Sequence, residues 1–220
     1  MCTKKEFIDI CHKVYEKEFV AAYSGNLSVR LDDRKILITP SAKCKGELVE
    51  EDLLEIDYEG NLISGIGKVS TEAKIHLLAY KHRKEVNSVI HCHPVFATAL
   101  ATVGEGMTIP VFPEVVLGLG KVPICKYATP STDELPNSML PYIDFAWAML
   151  LENHGAVTFG DDLKGAYYRM EVLEHSAKTL SAAKTFGRVK TIPLLQLKKL
   201  YSIAEKTYGI EIDDRLRMDF

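Results

Sequence analysis

The chain has 220 residues, 47% of them hydrophobic and 26% charged, which fits one globular domain with a sizeable core. Its formal net charge is −3, and its lysines and arginines form no block or stripe, so nothing favours nucleic acid as a partner. The amino terminus has no apolar signal region, no run is long enough to span a bilayer, and the five cysteines are scattered without a Cys-x-x-Cys pair, so the expectation is a cytoplasmic protein with reduced thiols and no membrane association.

Thr3-Lys-Lys-Glu6 reads as a capping box, and Phe7, Ile10, Cys11, Val14 and Tyr15 keep helical spacing after it. Leu27 to Leu31 and Ile36 to Thr39 are strand-like runs around a polar Asp-Asp-Arg-Lys turn. Leu54 to Tyr58 and Leu62-Ile63 flank Glu-Gly-Asn, a hairpin signal. A helix is predicted from about Ser70 to Arg83, a strand over 87–93, and a helix in the Ala-rich segment after Pro94. Residues 109–125 read as strand with glycine punctuation. Ala146 to Leu151 and Ala156 to Phe159 read as strands around Glu-Asn-His-Gly. Asp161 to Phe186 is a long helix with the stripe Leu163, Ala166, Tyr167, Met170, Leu173, Ala177 and Leu180, and Gly187 stops it. Pro193 opens a last helix ending near Tyr208-Gly209. With no repeat, low-complexity tract or linker, the pattern implies a single α/β domain with a largely antiparallel sheet covered by helices.

Val-Ile-His-Cys-His-Pro, residues 89–94, puts His91 and His93 on one face of a strand and Cys92 on the other. Imidazoles ~6.6 Å apart along a strand can converge on one ion, although a lone His-x-His is more often a pair of hydrogen-bonded histidines. His154, at a second strand end where Gly155 lets the backbone turn closely, completes the ligand number of a catalytic zinc. His12, His76, His82 and His175 fall within predicted helices and read as surface or packing residues. Cys92 faces the core. Lys68-Val-Ser-Thr-Glu72 precedes a helix, so Ser70, Thr71 and the free N–H groups suit a phosphate, beside the plainer reading of an ordinary N-cap. Gly25-Asn26-Leu-Ser28 and Thr39-Pro40-Ser41 are, taken singly, turns.

Together these segments are more specific. Gly-Asn-x-Ser-x-Arg, Thr-Pro-Ser, Ser-Thr-Glu, His-x-His-Pro and Asn-His-Gly, in that order and spacing, resemble the class II aldolase/epimerase family, nearest its L-fuculose-1-phosphate aldolase branch. The resemblance runs from about residue 7 to Gly209 and is weakest over 131–145. It implies a single domain over 1–220, a central, mostly antiparallel sheet between helix layers, and a C-terminal tail, mobile from about residue 208. It also implies a C4 homotetramer with active sites between subunits, each holding one Zn²⁺. By residue match His91, His93 and His154 are the metal ligands, and Glu72 is both resting ligand and proton carrier. Asn26, Ser41, Ser70 and Thr71 match the phosphate cradle. Tyr208 matches a tyrosine of the tail that closes over the substrate. The implied reaction is retro-aldol cleavage of a ketose 1-phosphate to dihydroxyacetone phosphate and a small aldehyde.

Three positions depart from the family pattern. Ala42 stands where the family has Gly beside the phosphate, Val69 replaces a usual Pro, and Glu114 occupies the position of a tyrosine that acts as an acid from the neighbouring subunit. A second reading is ribulose-5-phosphate 4-epimerisation, but that branch carries Asp where this chain has Glu72. A third is a non-catalytic interaction module like an adducin head, but such modules lose the zinc ligands, and all three are intact here.

Overall fold

The capping box at Thr3 closes the first helix, α1 (Lys4–Glu16). The Glu6 N–H donates to Thr3 Oγ1 at 3.2 Å, and the Thr3 N–H donates to Glu6 Oε2 at 2.9 Å. Five residues of α1, Phe7, Ile8, Ile10, Cys11 and Val14, are buried, as the sequence spacing requires. The computed structural model describes residues 2–218; Met1 and the last two residues of the expected tail, Asp219 and Phe220, lie outside them.

Eight strands follow in one sheet. They are β1 (Asn26–Arg30), β2 (Ile36–Ile38), β3 (Leu54–Ile56), β4 (Leu62–Ser64), β5 (Ser88–Cys92), β6 (Ile124–Cys125), β7 (Ala148–Leu151) and β8 (Gly155–Gly160). The spatial order is β4-β3-β2-β1-β5-β8-β7-β6. Every pairing is antiparallel except β6 with β7. The helices are α1, α2 (Ala73–His82), α3 (Val95–Thr102), α4 (Pro113–Gly118), α5 (Glu134–Met139), α6 (Leu163–Phe186) and α7 (Leu194–Tyr208).

The alternation of side chains along the strands divides the interior in two. Leu27, Val29, Ile90, Cys92 and Ala156 pack in one apolar cluster with residues of α1, α3, α4, α6 and α7. Ile36, Ile38, Val89, Val157 and Phe159 pack in the other with Ala73, Ile75 and Leu77 of α2 and Leu135 and Met139 of α5. The fold is therefore a mostly antiparallel sheet between two helix layers, as the sequence implies. Cys92 lies on the α6 side, in the core.

Two segments differ from expectation. Residues 109–125, read as strand, contain α4 and only the two-residue β6. Pro113 at the first position of α4 has its φ set for helix entry, and Val115, Val116 and Leu119 are buried together. Part of the segment read as strand thus packs one short helical face. The helix expected from Ser70 begins at Ala73, so Ser70, Thr71 and Glu72 form the turn before it. At the C-terminal end Gly209 takes φ +64, and the chain packs back on its own body. Leu216 and Met218 are buried; the Lys121 N–H donates to the Leu216 carbonyl at 2.9 Å, and the Met218 N–H to Tyr201 Oη at 2.7 Å.

Candidate metal centre and active site

His91 stands in β5, the strand paired with β1 on one side and β8 on the other, and is wholly buried. Its Nδ1–H donates to the Ala156 carbonyl of β8 at 3.0 Å, which leaves the Nε2 lone pair free to bind. His93 lies just beyond the strand, where its backbone N–H donates to the Phe19 carbonyl at 2.8 Å. His154 comes from the β7–β8 turn, in which Asn153 supplies the left-handed residue at φ +54. Gly155 therefore acts through size, not through a positive φ. A Cβ there would lie 2.5 Å from the Cys92 carbonyl oxygen and 2.6 Å from His93 Cδ2, so only glycine lets the turn lie against the end of β5. The three rings meet with centroids 4.8, 4.8 and 5.0 Å apart, and one ligand atom from each falls within 4.8 Å of the others.

Glu72 brings its carboxylate to this cluster from the turn before α2. Oε1 is 3.2 Å from His154 Nε2, and Oε2 is 3.6 Å from His91 Nε2, while His91 Nε2 and His93 Nε2 are 3.0 Å apart. Ligand atoms held ~2.0–2.1 Å from a tetrahedral ion stand ~3.3 Å from one another. The observed separations bracket that value. His154 Nδ1, the ring nitrogen away from Glu72, is buried with no hydrogen-bond partner among the described residues. Three imidazoles and one carboxylate fit a divalent metal ion of the borderline kind.

The electrostatics agree with that fit. Burial holds His91 well below the ordinary imidazole value, against the pull of the Glu72 charge. Burial, together with the charge of His154, lowers His93 to about 4. Burial pushes Glu72 upward, but the hydrogen bond to His154, the His91 ring and the Asn26 amide outweigh it and hold the carboxyl well below the usual range. His91 and His93 kept neutral and a carboxylate kept ionised are the protonation states that metal ligation needs.

The other residues singled out in the sequence divide into two groups. Asn26 is buried beside Glu72, and its Nδ2 donates to Glu72 Oε2 at 2.8 Å. Ser70 Oγ accepts from the Glu72 N–H at 3.2 Å. The Ser41 N–H donates to the Lys68 carbonyl at 2.8 Å, joining the Thr-Pro-Ser loop to the Ser-Thr-Glu loop. Thr71 is exposed, with its hydroxyl 2.7 Å from that of Ser131. Ala42, the departure from Gly, has φ +57. That conformation explains why glycine suits the position. Glu114, in the first turn of α4, and Tyr208, on the last turn of α7, are both exposed. Among the described residues no hydrogen bond or ion pair links either to the histidine cluster.

Two residues of the neighbourhood escaped the sequence reading. Lys45 is 1% exposed, and its ammonium donates to the Tyr23 and Lys43 carbonyls at 3.0 and 2.9 Å, so it ties together the loops that carry Asn26 and Ser41. Nothing in its local sequence marks it. His76, read as surface or packing, is buried and bonded to Asn26. A signal was present: residue 76 follows Glu72 by four and so lies on the same helical face, while Asn26 and Ser28 share one face of β1. His12 and His82 make peripheral contacts, to the Leu48 carbonyl and to Asp144.

The family model of the Class II Aldolase and Adducin N-terminal domain matches residues 5–181. An L-fuculose phosphate aldolase of Methanocaldococcus jannaschii is 36% identical over 175 residues, spanning 80% of this chain and 93% of the relative. A 3-oxo-tetronate 4-phosphate decarboxylase of Haemophilus influenzae is 34% identical over 182 residues, spanning 81% and 86%. Among solved structures, an L-fuculose 1-phosphate aldolase superposes with TM-score 0.84 at 30% identity, covering 94% of this chain and 98% of the other. The L-fuculose-1-phosphate aldolase of Thermus thermophilus superposes with TM-score 0.72 at 29% identity, covering 82% and 93%.

Proposed function

The chain belongs to the class II aldolase family, and from that premise we propose that it is a zinc-dependent lyase that cleaves a ketose 1-phosphate, of the L-fuculose-1-phosphate kind, to dihydroxyacetone phosphate and a small aldehyde. The observation that carries this reading is the convergence of His91, His93, His154 and Glu72 at separations suited to one tetrahedral ion. One divalent ion per subunit is the expected content. When bound, it would polarise the substrate carbonyl and offset the negative charge that develops on the neighbouring carbon as the carbon–carbon bond breaks.

The side chains supply the rest. The three imidazoles would hold the ion on a rigid platform: β5, its end, and the β7–β8 turn. Glu72, ionised and adjacent, is the group placed to carry a proton to the carbon that loses the aldehyde. Ser41, Ser70 and Thr71, with the second hydrogen of the Asn26 amide, line polar loops suited to the phosphate. No lysine is required as a Schiff-base former. We further infer a tetramer with active sites between subunits, in which the exposed Glu114 reaches a neighbouring site and Tyr208 closes over the substrate.

A second reading is favoured by the decarboxylase-named relative. Loss of carbon dioxide from a 3-oxo acid phosphate also leaves charge on a carbon beside a carbonyl, so the same platform serves both reactions. The two differ only in whether an aldehyde or carbon dioxide departs. The deciding experiment offers the purified protein a panel of ketose 1-phosphates and 3-oxo-tetronate 4-phosphates, and identifies the product. Aldehyde release from a ketose 1-phosphate supports the aldolase reading. Carbon dioxide release alone replaces it with the second, and activity unimpaired by a strong chelator refutes both.

A further inference from the structure

Glu72 is the end of a buried chain of side-chain hydrogen bonds. Asn26 Nδ2 is 2.8 Å from Glu72 Oε2, and Asn26 Oδ1 is 2.6 Å from His76 Nε2. His76 Nδ1 is 2.6 Å from Ser28 Oγ, which is 2.7 Å from Tyr80 Oη. Asn26 and Tyr80 are each 3% exposed, Ser28 and His76 not at all.

The direction of this chain follows from its carboxylate end. An ionised carboxylate only accepts, so Asn26 must present its amide nitrogen to Glu72 and its oxygen to His76. His76 Nε2 must then carry the proton, and Nδ1 of the neutral ring must accept from Ser28. Burial lowers His76 to about 3, so the ring stays neutral near pH 7. With its hydrogen spent on His76, Ser28 accepts from Tyr80, whose oxygen accepts in turn from the Val89 backbone N–H of β5. Every hydrogen points toward Glu72, and each bond polarises the next.

We propose that Asn26, His76 and Ser28 are positioning residues for Glu72: this one-way chain, running from β5 through β1 and α2, fixes one carboxylate oxygen and leaves the other to face His154. The proposal rests on the metal-dependent reading above and deepens it. A carboxylate that is to leave the ion and carry a proton needs an anchor that does not move with it. Asn26 holds Oε2 on the body of the sheet at 2.8 Å, so any movement of the carboxylate would be a rotation about that anchor. Partners of this kind, one step behind a metal's ligands, set ligand orientation, and their loss weakens metal binding or activity by about 10–100-fold.

The test measures zinc affinity of the full chain by competition with a chromophoric chelator, beside melting temperatures and steady-state kinetics. Asn26→Ala and His76→Phe are each expected to bind zinc about 10–100-fold more weakly. The double variant should be no weaker than the weaker single, because His76 acts only through Asn26. His76→Gln, whose amide still donates to Asn26, should recover part of the loss. In His76→Phe, which touches no part of the phosphate cradle, turnover should fall with KM little changed; a rise in KM alone there would overturn the proposal. Wild-type zinc affinity in His76→Phe, or losses that simply multiply in the double variant, also overturns it. If His76→Phe fails to fold, Ser28→Ala carries the same test with a smaller loss expected, and unchanged affinity there is equally fatal. A wild-type protein that binds no zinc would instead overturn the proposed function, taking the relay's purpose with it.

Discussion

The carboxylate of Glu72 meets the imidazole of His154 at 3.2 Å, although one precedes a helix on one face of the sheet and the other sits in a turn between two strands. Their meeting turns a group of histidines into a site with a titratable arm. Glu72→Gln keeps the size of the side chain and removes its charge. The expected result is a folded protein with turnover lower by about 10²–10⁴, the usual worth of a placed proton carrier. It should also lose proton exchange at the reacting carbon of dihydroxyacetone phosphate. Exchange at the normal rate in this variant would assign the proton to another group, with Glu114 the next to test.

Thr71 is exposed in the loop before α2, and among the described residues its hydroxyl bonds only to that of Ser131. Thr71→Ala therefore costs little stability. If the loop cradles phosphate, the change removes binding common to ground and transition states, so KM should rise while turnover holds. Steady-state kinetics on the best phosphorylated substrate checks this. Equal rates on the ester and on the unphosphorylated sugar would place the phosphate elsewhere.

Ala42 holds a left-handed backbone conformation, φ +57, that costs a residue with a Cβ roughly 1–2 kcal/mol. Glycine lacks that cost in the folded state but is more disordered when unfolded. The balance favours Ala42→Gly as stabilising, by about 0.5–1 kcal/mol. Chemical denaturation measures it directly, and a lower midpoint in the glycine variant would contradict the argument.

Buried imidazoles govern how the metal-free protein responds to acid: burial holds His91 well below its ordinary value, and it lowers His76 and His93 as well. Burial lowers His76 to about 3 and His93 to about 4, against an ordinary value of 6.5. The unfolded chain takes up these protons near 6.5, while the folded chain refuses them until about 4 and 3, so below 6.5 protonation favours unfolding. Stability is therefore full above about pH 6.5 and is lost as the pH falls toward 4. Melting temperatures of chelator-treated protein at about pH 7.5 and about pH 5 should differ, with the acidic sample lower. Equal values would mean that none of these rings is held neutral by the fold.

Much of this molecule is legible in its residues alone. The capping box at Thr3, the apolar stripe of α6 and the alternation through Val-Ile-His-Cys-His-Pro are local signals, and each is honoured because a short stretch of backbone alone sets the geometry. Period two puts His91 on the face opposite Cys92, and the structure keeps that division. The same local logic misreads residues 109–125, where β-branched residues that favour a strand instead fill one buried side of α4. His76 shows the limit most clearly. Helical spacing states which face of α2 it occupies, but not that β1 lies against that face with Asn26 and Ser28 in reach. Lys45 and Gly155 are similar: a buried ammonium bonded to two carbonyls and a site without room for a Cβ exist only once distant segments touch. Side-chain direction is a property of the local backbone, and so the sequence determined it. What a side chain meets depends on long-range packing, and only the tertiary structure decided that.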